Sequence, residues 1–185
     1  MSLRPQTNPA VAIRPIRDDD HERLRTHHDR LSPESRYRRF LSAKPQLTSA
    51  DARYLVEIDG CDHFALVATL PEAEGAPIVG VARFIRMPDD RELAEVAIVV
   101  NDDHQRHGVG AELVGRLAEA AVARGVRRFR ATMLADNLPI HRLLENLAAG
   151  TVQRRRLGGL SEMEFALPGA ETPGADCGDP ALAAV

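Results

Sequence analysis

Residues 96–123 constrain the fold more than any other stretch. An apolar run, VAIVV (96–100), passes through a polar turn into HQRHGVG (104–110) and then into GAELVGRLAEAAVA (110–123). The apolar run has the length and β-branched content of a buried strand. In the following stretch Val109, Leu113, Leu117 and Ala121 fall four apart, which predicts one apolar stripe on a helix. A strand therefore feeds a helix through a loop with glycines at 108 and 110. Unsatisfied backbone N–H groups and the dipole at such a helix start favour an anion, and glycines let a phosphate approach the backbone. Two common phosphate loops are excluded. The dinucleotide fingerprint needs a third glycine, and the P-loop needs Lys and Ser/Thr where this chain has Ala111 and Glu112.

The rest of the chain predicts a mixed α+β order. AIRPIRDDD (12–20) reads as a short strand running into an acidic helix start, and HERLRTHHDRL continues that helix. Ser32 with Pro33 starts a second helix over 32–41, and Thr48 or Ser49 starts a third over 48–58. Strands follow at 63–70, 78–86 and 91–100, joined by turn-rich segments as an antiparallel meander. Beyond the central helix, which Gly125 closes, come a strand at 126–134 and a helix at 137–149 whose buried face is Ile140, Leu143, Leu144 and Leu147. Two strands over 151–167 turn at Gly158-Gly159. The expected organisation is a flexible N-terminus at 1–10, one domain at 11–167 and a disordered Gly/Pro/Ala-rich tail at 168–185.

Charge narrows the partners. The net charge of −3 resides in the tail, in Glu171, Asp176 and Asp179, so the body is formally neutral. That argues against nucleic acid, where a basic surplus supplies affinity. The arginine clusters RYRRF (36–40), RRFR (127–130) and RRR (154–156) read as solvated faces, with a patch for phosphate or an acidic partner as the alternative. No apolar run approaches the roughly 18 residues of a membrane span, and the first residues carry no apolar signal region, so a cytoplasmic location is expected. Cys61 and Cys177 fit no disulfide framework or metal spacing, and Cys177 reads as an exposed thiol. His104 and His107 lack a third ligand, so no metal is expected. His27, His28 and His141 read as polar helix faces, and Asp102-Asp103 as turn-forming. Lys44 is the only lysine.

The loop itself fits the pattern Q/R-x-x-G-x-G/A, as Gln105-Arg106-His107-Gly108-Val109-Gly110. With the strand before it and the helix, strand and Asn-initiated helix after it, this resembles the pyrophosphate loop of the GNAT superfamily of acyl-CoA-dependent N-acyltransferases, over residues 11–167. IRPIRDDDHERLRTHHDRLSPESRYRRFL together with AEVAIVVNDDHQRHGVG is similar to the protein-lysine acetyltransferase branch. That branch is often fused to a cyclic-nucleotide module or a synthetase-like region. Neither fits within 185 residues, so cyclic-nucleotide control is not implied. The resemblance implies a mostly antiparallel sheet flanked by helices, with a splayed strand pair holding acetyl-CoA. It implies that Gln105, Arg106, His107, Gly108, Val109, Gly110 and Ala111 cradle the pyrophosphate. Backbone groups of Ile98, Val99 and Val100 would bond the pantetheine, and Asn137 either contacts that arm or simply caps its helix. A protein substrate with a reactive lysine and an acyl-CoA synthetase are the implied partners.

Acyl transfer to an amine needs a base, because a free lysine is protonated at neutral pH. Glu95 is the one carboxylate within LAEVAIVV, a placement expected to shield it from water. It stands about 17 Å along a strand from Val100, the scale of a pantetheine arm. The resemblance independently implies Glu95 as general base; the competing reading is a surface glutamate paired with an arginine. Many members carry a tyrosine as general acid seven residues after the position of Asn137, where this chain has Leu144. A thiol with a pKa of about 8.5 leaves adequately without one. The same chemistry on a small amine, and a non-catalytic CoA-binding module, are the alternatives.

Overall fold

The computed structural model describes residues 11–44, 46–71 and 76–171. The expected flexible N-terminus at 1–10 and the tail beyond 171 lie outside the described residues. Residues 168–171 form a turn on the body, in which the Ala170 N–H donates to the Leu167 carbonyl at 3.3 Å.

Seven strands form one sheet: β1 (Ala12–Pro15), β2 (His63–Thr69), β3 (Ile78–Met87), β4 (Asp90–Val100), β5 (Arg128–Leu134), β6 (Gln153–Leu157) and β7 (Leu160–Ala166), in the order β1-β2-β3-β4-β5-β7-β6. Every pairing is antiparallel except β4 with β5. Side chains alternate across β2 as a strand requires. Phe64, Leu66 and Ala68 enter the main core, while Ala65 and Val67 enter a second core on the opposite face.

Among the described residues, five α-helices cover the two faces: α1 (His21–Asp29), α2 (Pro33–Phe40), α3 (Ser49–Val56), α4 (Val109–Ala123) and α5 (Leu138–Leu147). The predicted stripe of α4, Val109, Leu113, Leu117 and Ala121, is fully buried in the main core. Gly125 ends α4 with a left-handed φ of 82°. The other core lies under α1 and α3 and includes Leu24, Ala52 and Val56. On α2, the Ser32 hydroxyl accepts the Ser35 N–H at 3.1 Å. At α3, Thr48 and not Ser49 is the cap, in a reciprocal box with Asp51. On α5 only Leu144 is fully buried; Ile140, Leu143 and Leu147 pack at the core's edge.

Three expectations are corrected. His27 and His28 are each 2% exposed, not on a polar face. Cys61 is disulfide-bonded and is not the unpaired thiol its spacing suggested; Cys177 lies outside the described residues. Asp20 does more than open a helix. It is fully buried, accepts two bonds from the Arg14 guanidinium at 2.6 and 2.7 Å, one from the Arg17 N–H at 2.9 Å and one from Arg23 at 3.1 Å. Burial alone would raise its pKa, but Arg14, the Arg17 N–H and Arg23 together hold the carboxyl below its usual value. Removing one partner of a buried ion pair strands the other. Asp20→Ala is therefore expected to lower unfolding free energy by about 3 kcal/mol, measured by urea titration, and an unchanged midpoint would contradict this.

Candidate active site

β4 and β5 are paired only at Leu93–Arg128, Ala94–Phe129 and Glu95–Arg130. Past Glu95 the two strands part, and the gap opens into a cleft of about 800 Å³. One wall is the rest of β4, including Ile98, Val99 and Val100. The facing wall is Thr132 and Met133 of β5 with Asn137 and Leu144. The loop at 105–111 closes the far end, and α2 lies along the mouth.

The loop leaves backbone donors free. Arg106 has φ 62° and Gly108 φ 85°. Left-handed geometry is strained for an arginine, at roughly 1–2 kcal/mol, and such alternation turns successive N–H groups into one concavity. Gly108 is the N-cap of α4 with no side chain capping it. Among the described residues, the N–H groups of Gly108, Val109, Gly110 and Ala111 meet no acceptor. A Cβ placed on Gly110 would sit 3.7 Å from Leu143 Cδ2 and Val100 Cγ2 and 3.8 Å from Ile98 Cδ1, at ordinary contact distance.

Of the candidates drawn from the sequence, Glu95, Ile98, Val99, Val100, Gln105, Arg106, Gly108, Gly110, Ala111 and Asn137 all line this cleft. Val109 turns its side chain into the core, and His107 is exposed outside the cleft. Only their backbones can serve an anion there. Gln105 is engaged structurally: its side-chain amide donates to the Val100 carbonyl at 3.0 Å and to the Ser35 hydroxyl at 3.3 Å. Asn137 occupies the N-cap of α5, but its side chain makes no cap bond.

Glu95 is exposed at the fork, not shielded as an apolar strand suggested. Its neighbour across the register, Arg130, is bound to Glu164 at 2.9 Å. Glu95 makes no hydrogen bond or ion pair among the described residues, so of the competing picture the surface placement holds, with Arg39 and Arg130 feeling its charge only through space.

The sequence missed the α2 wall. Ser35, Arg38 and Arg39 share one helix face, and with Phe40 and Leu41 they line the cleft. Arg38 pairs with Glu34 at 2.5 Å. Burial pulls Arg39 down to about 10, with the Glu95 carboxylate working against that shift. Asp102 does more than form the expected turn. It accepts the Ser32 N–H at 3.0 Å and the Ser32 and Ser35 hydroxyls at 2.9 and 2.8 Å, fastening the start of α2 to the turn before the loop. Burial would raise its pKa, and those three donors hold it low.

Residues 19–148 match the model of the acetyltransferase (GNAT) family. The chain belongs to that family. It is 40% identical over 139 residues to acetyltransferase Pat of Mycolicibacterium smegmatis, spanning 74% of this chain and 40% of that one. It is 33% identical over 127 residues to acetyltransferase PA5475 of Pseudomonas aeruginosa, covering 69% and 68%. The solved GNAT domain of S. lividans PAT superposes with a TM-score of 0.75 at 29% identity, covering 89% of this chain and all of that one. This GNAT domain thus spans well under half the length of the mycobacterial relative. A more distant structure with the same fold, yncA of Salmonella typhimurium, was solved with acetyl-CoA (TM-score 0.67, 18% identity, covering 90% of this chain and 99% of that one). Among the described residues no group of His, Cys, Asp or Glu could hold a metal ion, and no helix is long and apolar enough to cross a membrane.

Behind the α2 wall, His27 is held at about 4, chiefly by burial. A native state that keeps this imidazole neutral loses stability once the unfolded chain protonates. The loss begins as pH falls below about 6.5 and levels off below about 4. For His27 alone it reaches about 3 kcal/mol. Thermal melts from pH 7.5 to 4.5 at low salt should show this decline, and His27→Gln should flatten it.

Proposed function

We propose that this GNAT domain is an acetyl-CoA-dependent N-acetyltransferase that acetylates protein lysine side chains by direct transfer in the cytoplasm, with Glu95 as the general base. The carrying observation is the placement of Glu95. It is an unengaged carboxylate at the fork of β4 and β5, and the same cleft ends in backbone N–H groups without acceptors. Similarity to Pat favours protein lysine as the acceptor, and an acyl-CoA synthetase is the first partner to test.

The residues present fit acetyl-CoA. The N–H groups at 108–111 suit the pyrophosphate. The edge of β4 beyond Glu95, left unpaired by β5, offers the backbone of Ile98, Val99 and Val100 to a pantetheine amide. The Asn137 amide faces the same gap. Holding the thioester this way turns a bimolecular encounter into an oriented one. At the fork, Glu95 takes the proton of the incoming ammonium, directly or through a water. The neutral amine nitrogen forms its bond to the thioester carbonyl carbon and gives up its second proton to water, the carbon–sulfur bond breaks, and the thiolate leaves with the electron pair. No tyrosine stands at Leu144, which is 1% exposed, so the thiolate takes its proton from water.

Mass spectrometry of lysates treated with the enzyme and labelled acetyl-CoA tests the acceptor. Label on protein lysines is the expected result. Label that reaches only polyamines or aminoglycosides would transfer the assignment to a small amine. CoA binding without thiol release in any lysate would leave a binding module.

A further inference from the structure

On the sheet face opposite α4, helices α1, α2 and α3 border a half-open second cavity of about 30 Å³ against β3 and β4. That is room for one or two water-sized groups. Four basic side chains, His27, His28, Arg39 and Arg83, line it, and no acidic one does.

These groups are poorly satisfied. Arg83 is 4% exposed. One of its terminal nitrogens donates to the Leu55 carbonyl at 3.2 Å and faces His63 Nε2 at 3.0 Å, but its Nε finds no acceptor. Arg39 lies over the Phe40 ring at 5.0 Å and makes no hydrogen bond or ion pair among the described residues. The one carboxylate acting on it, Glu95, belongs to the cleft. His27 has the Ile78 backbone and the Asn101 side chain within reach, but no ring nitrogen of His27 or His28 makes a well-formed hydrogen bond among the described residues. The nearest acid is Asp29, 3.5 Å from His28 Nδ1 and largely in solvent. A buried guanidinium without a counter-charge is costly. A water could accept its hydrogen bonds but could not cancel its charge.

We propose that this cavity binds a small inorganic anion of halide size, held by the guanidinium groups of Arg39 and Arg83 with ring N–H groups of His27 and His28. Arg39 lines both this cavity and the acyl cleft. An anion here fixes the back of the α2 wall and draws the Arg39 charge away from Glu95.

The test is independent of acyl transfer. Wild-type protein is melted in sodium bromide, sodium chloride or sodium gluconate at one ionic strength, since gluconate is too large for the cavity. The expected result is a saturable rise in Tm with halide, on the order of 5 °C, that Arg83→Met abolishes. Crystals grown in bromide should show an anomalous peak between Arg39 and Arg83. A Tm indifferent to the choice of anion, or bromide peaks confined to the outer surface, overturns the proposal. If Arg83→Met does not fold, the wild-type bromide experiment decides alone.

Discussion

Glu95→Gln is expected to lower kcat by about 10²- to 10⁴-fold, the usual weight of a general base, with CoA affinity nearly unchanged. Glutamine keeps the volume and removes only the basicity. The carboxylate is exposed and makes no hydrogen bond or ion pair among the described residues, so its loss leaves the β4–β5 fork intact. The loop that would hold pyrophosphate begins ten positions later in the chain, past the end of β4. Steady-state turnover and calorimetric CoA binding separate the two effects. Retention of more than about a tenth of wild-type turnover, well short of that range, would make Glu95 dispensable and send the proton out by another route.

Gly110→Val is expected to weaken CoA binding on the order of 100-fold while the protein stays folded. Two lost bonds from N–H groups to a charged phosphate, at about 1.5–3 kcal/mol each, are worth at least that factor. The first carbon of a new side chain fits beside Leu143, Val100 and Ile98. Gly110 lines the cleft, so the two γ-methyls of valine are expected to crowd it beside the N–H groups at 108–111. Helical propensity does not oppose the change, since valine is no worse than glycine inside a helix. Circular dichroism should be unaltered and CoA titration should show the loss. Gly110→Ala should fall between the two. A folded Gly110→Val protein with wild-type CoA affinity would mean that phosphate is held elsewhere.

The parts of the fold with strong periodicity were legible in the sequence. The α4 stripe follows from 3.6-residue spacing, and the strand–glycine–helix order at 96–123 from an apolar run followed by glycines and a periodic segment. What escaped depended on partners far off in the chain. Asp102 meets Ser35 across 67 residues, a pairing no local pattern announces. The RYRRF segment looked solvated because its polar residues outnumber its apolar ones, yet Ser35, Arg38 and Arg39 form one face of a helix laid over the cleft. The buried histidines did leave a signal. Leu24, His27, His28 and Leu31 occupy positions i, i+3, i+4 and i+7, the core-facing stripe of α1 continued past its end. Reading histidine as polar by default obscured it. Glu95 lines the cleft, but its exposure was not foreseen, because the strand's apolar composition conceals the point where β5 departs.

The fastening of α2 by Asp102 and Gln105 restricts how this scaffold can be re-engineered. Ser32 and Ser35 at the front of α2 are bonded to the same turn that leads into the phosphate-type loop. Randomising that front half to admit a new acceptor would loosen cosubstrate capture at the same time, and the two traits could not be selected separately. The back of the helix, Phe40 and Leu41, reaches the cleft without touching that turn through any hydrogen bond among the described residues. A directed-evolution library for altered acceptor choice therefore belongs there.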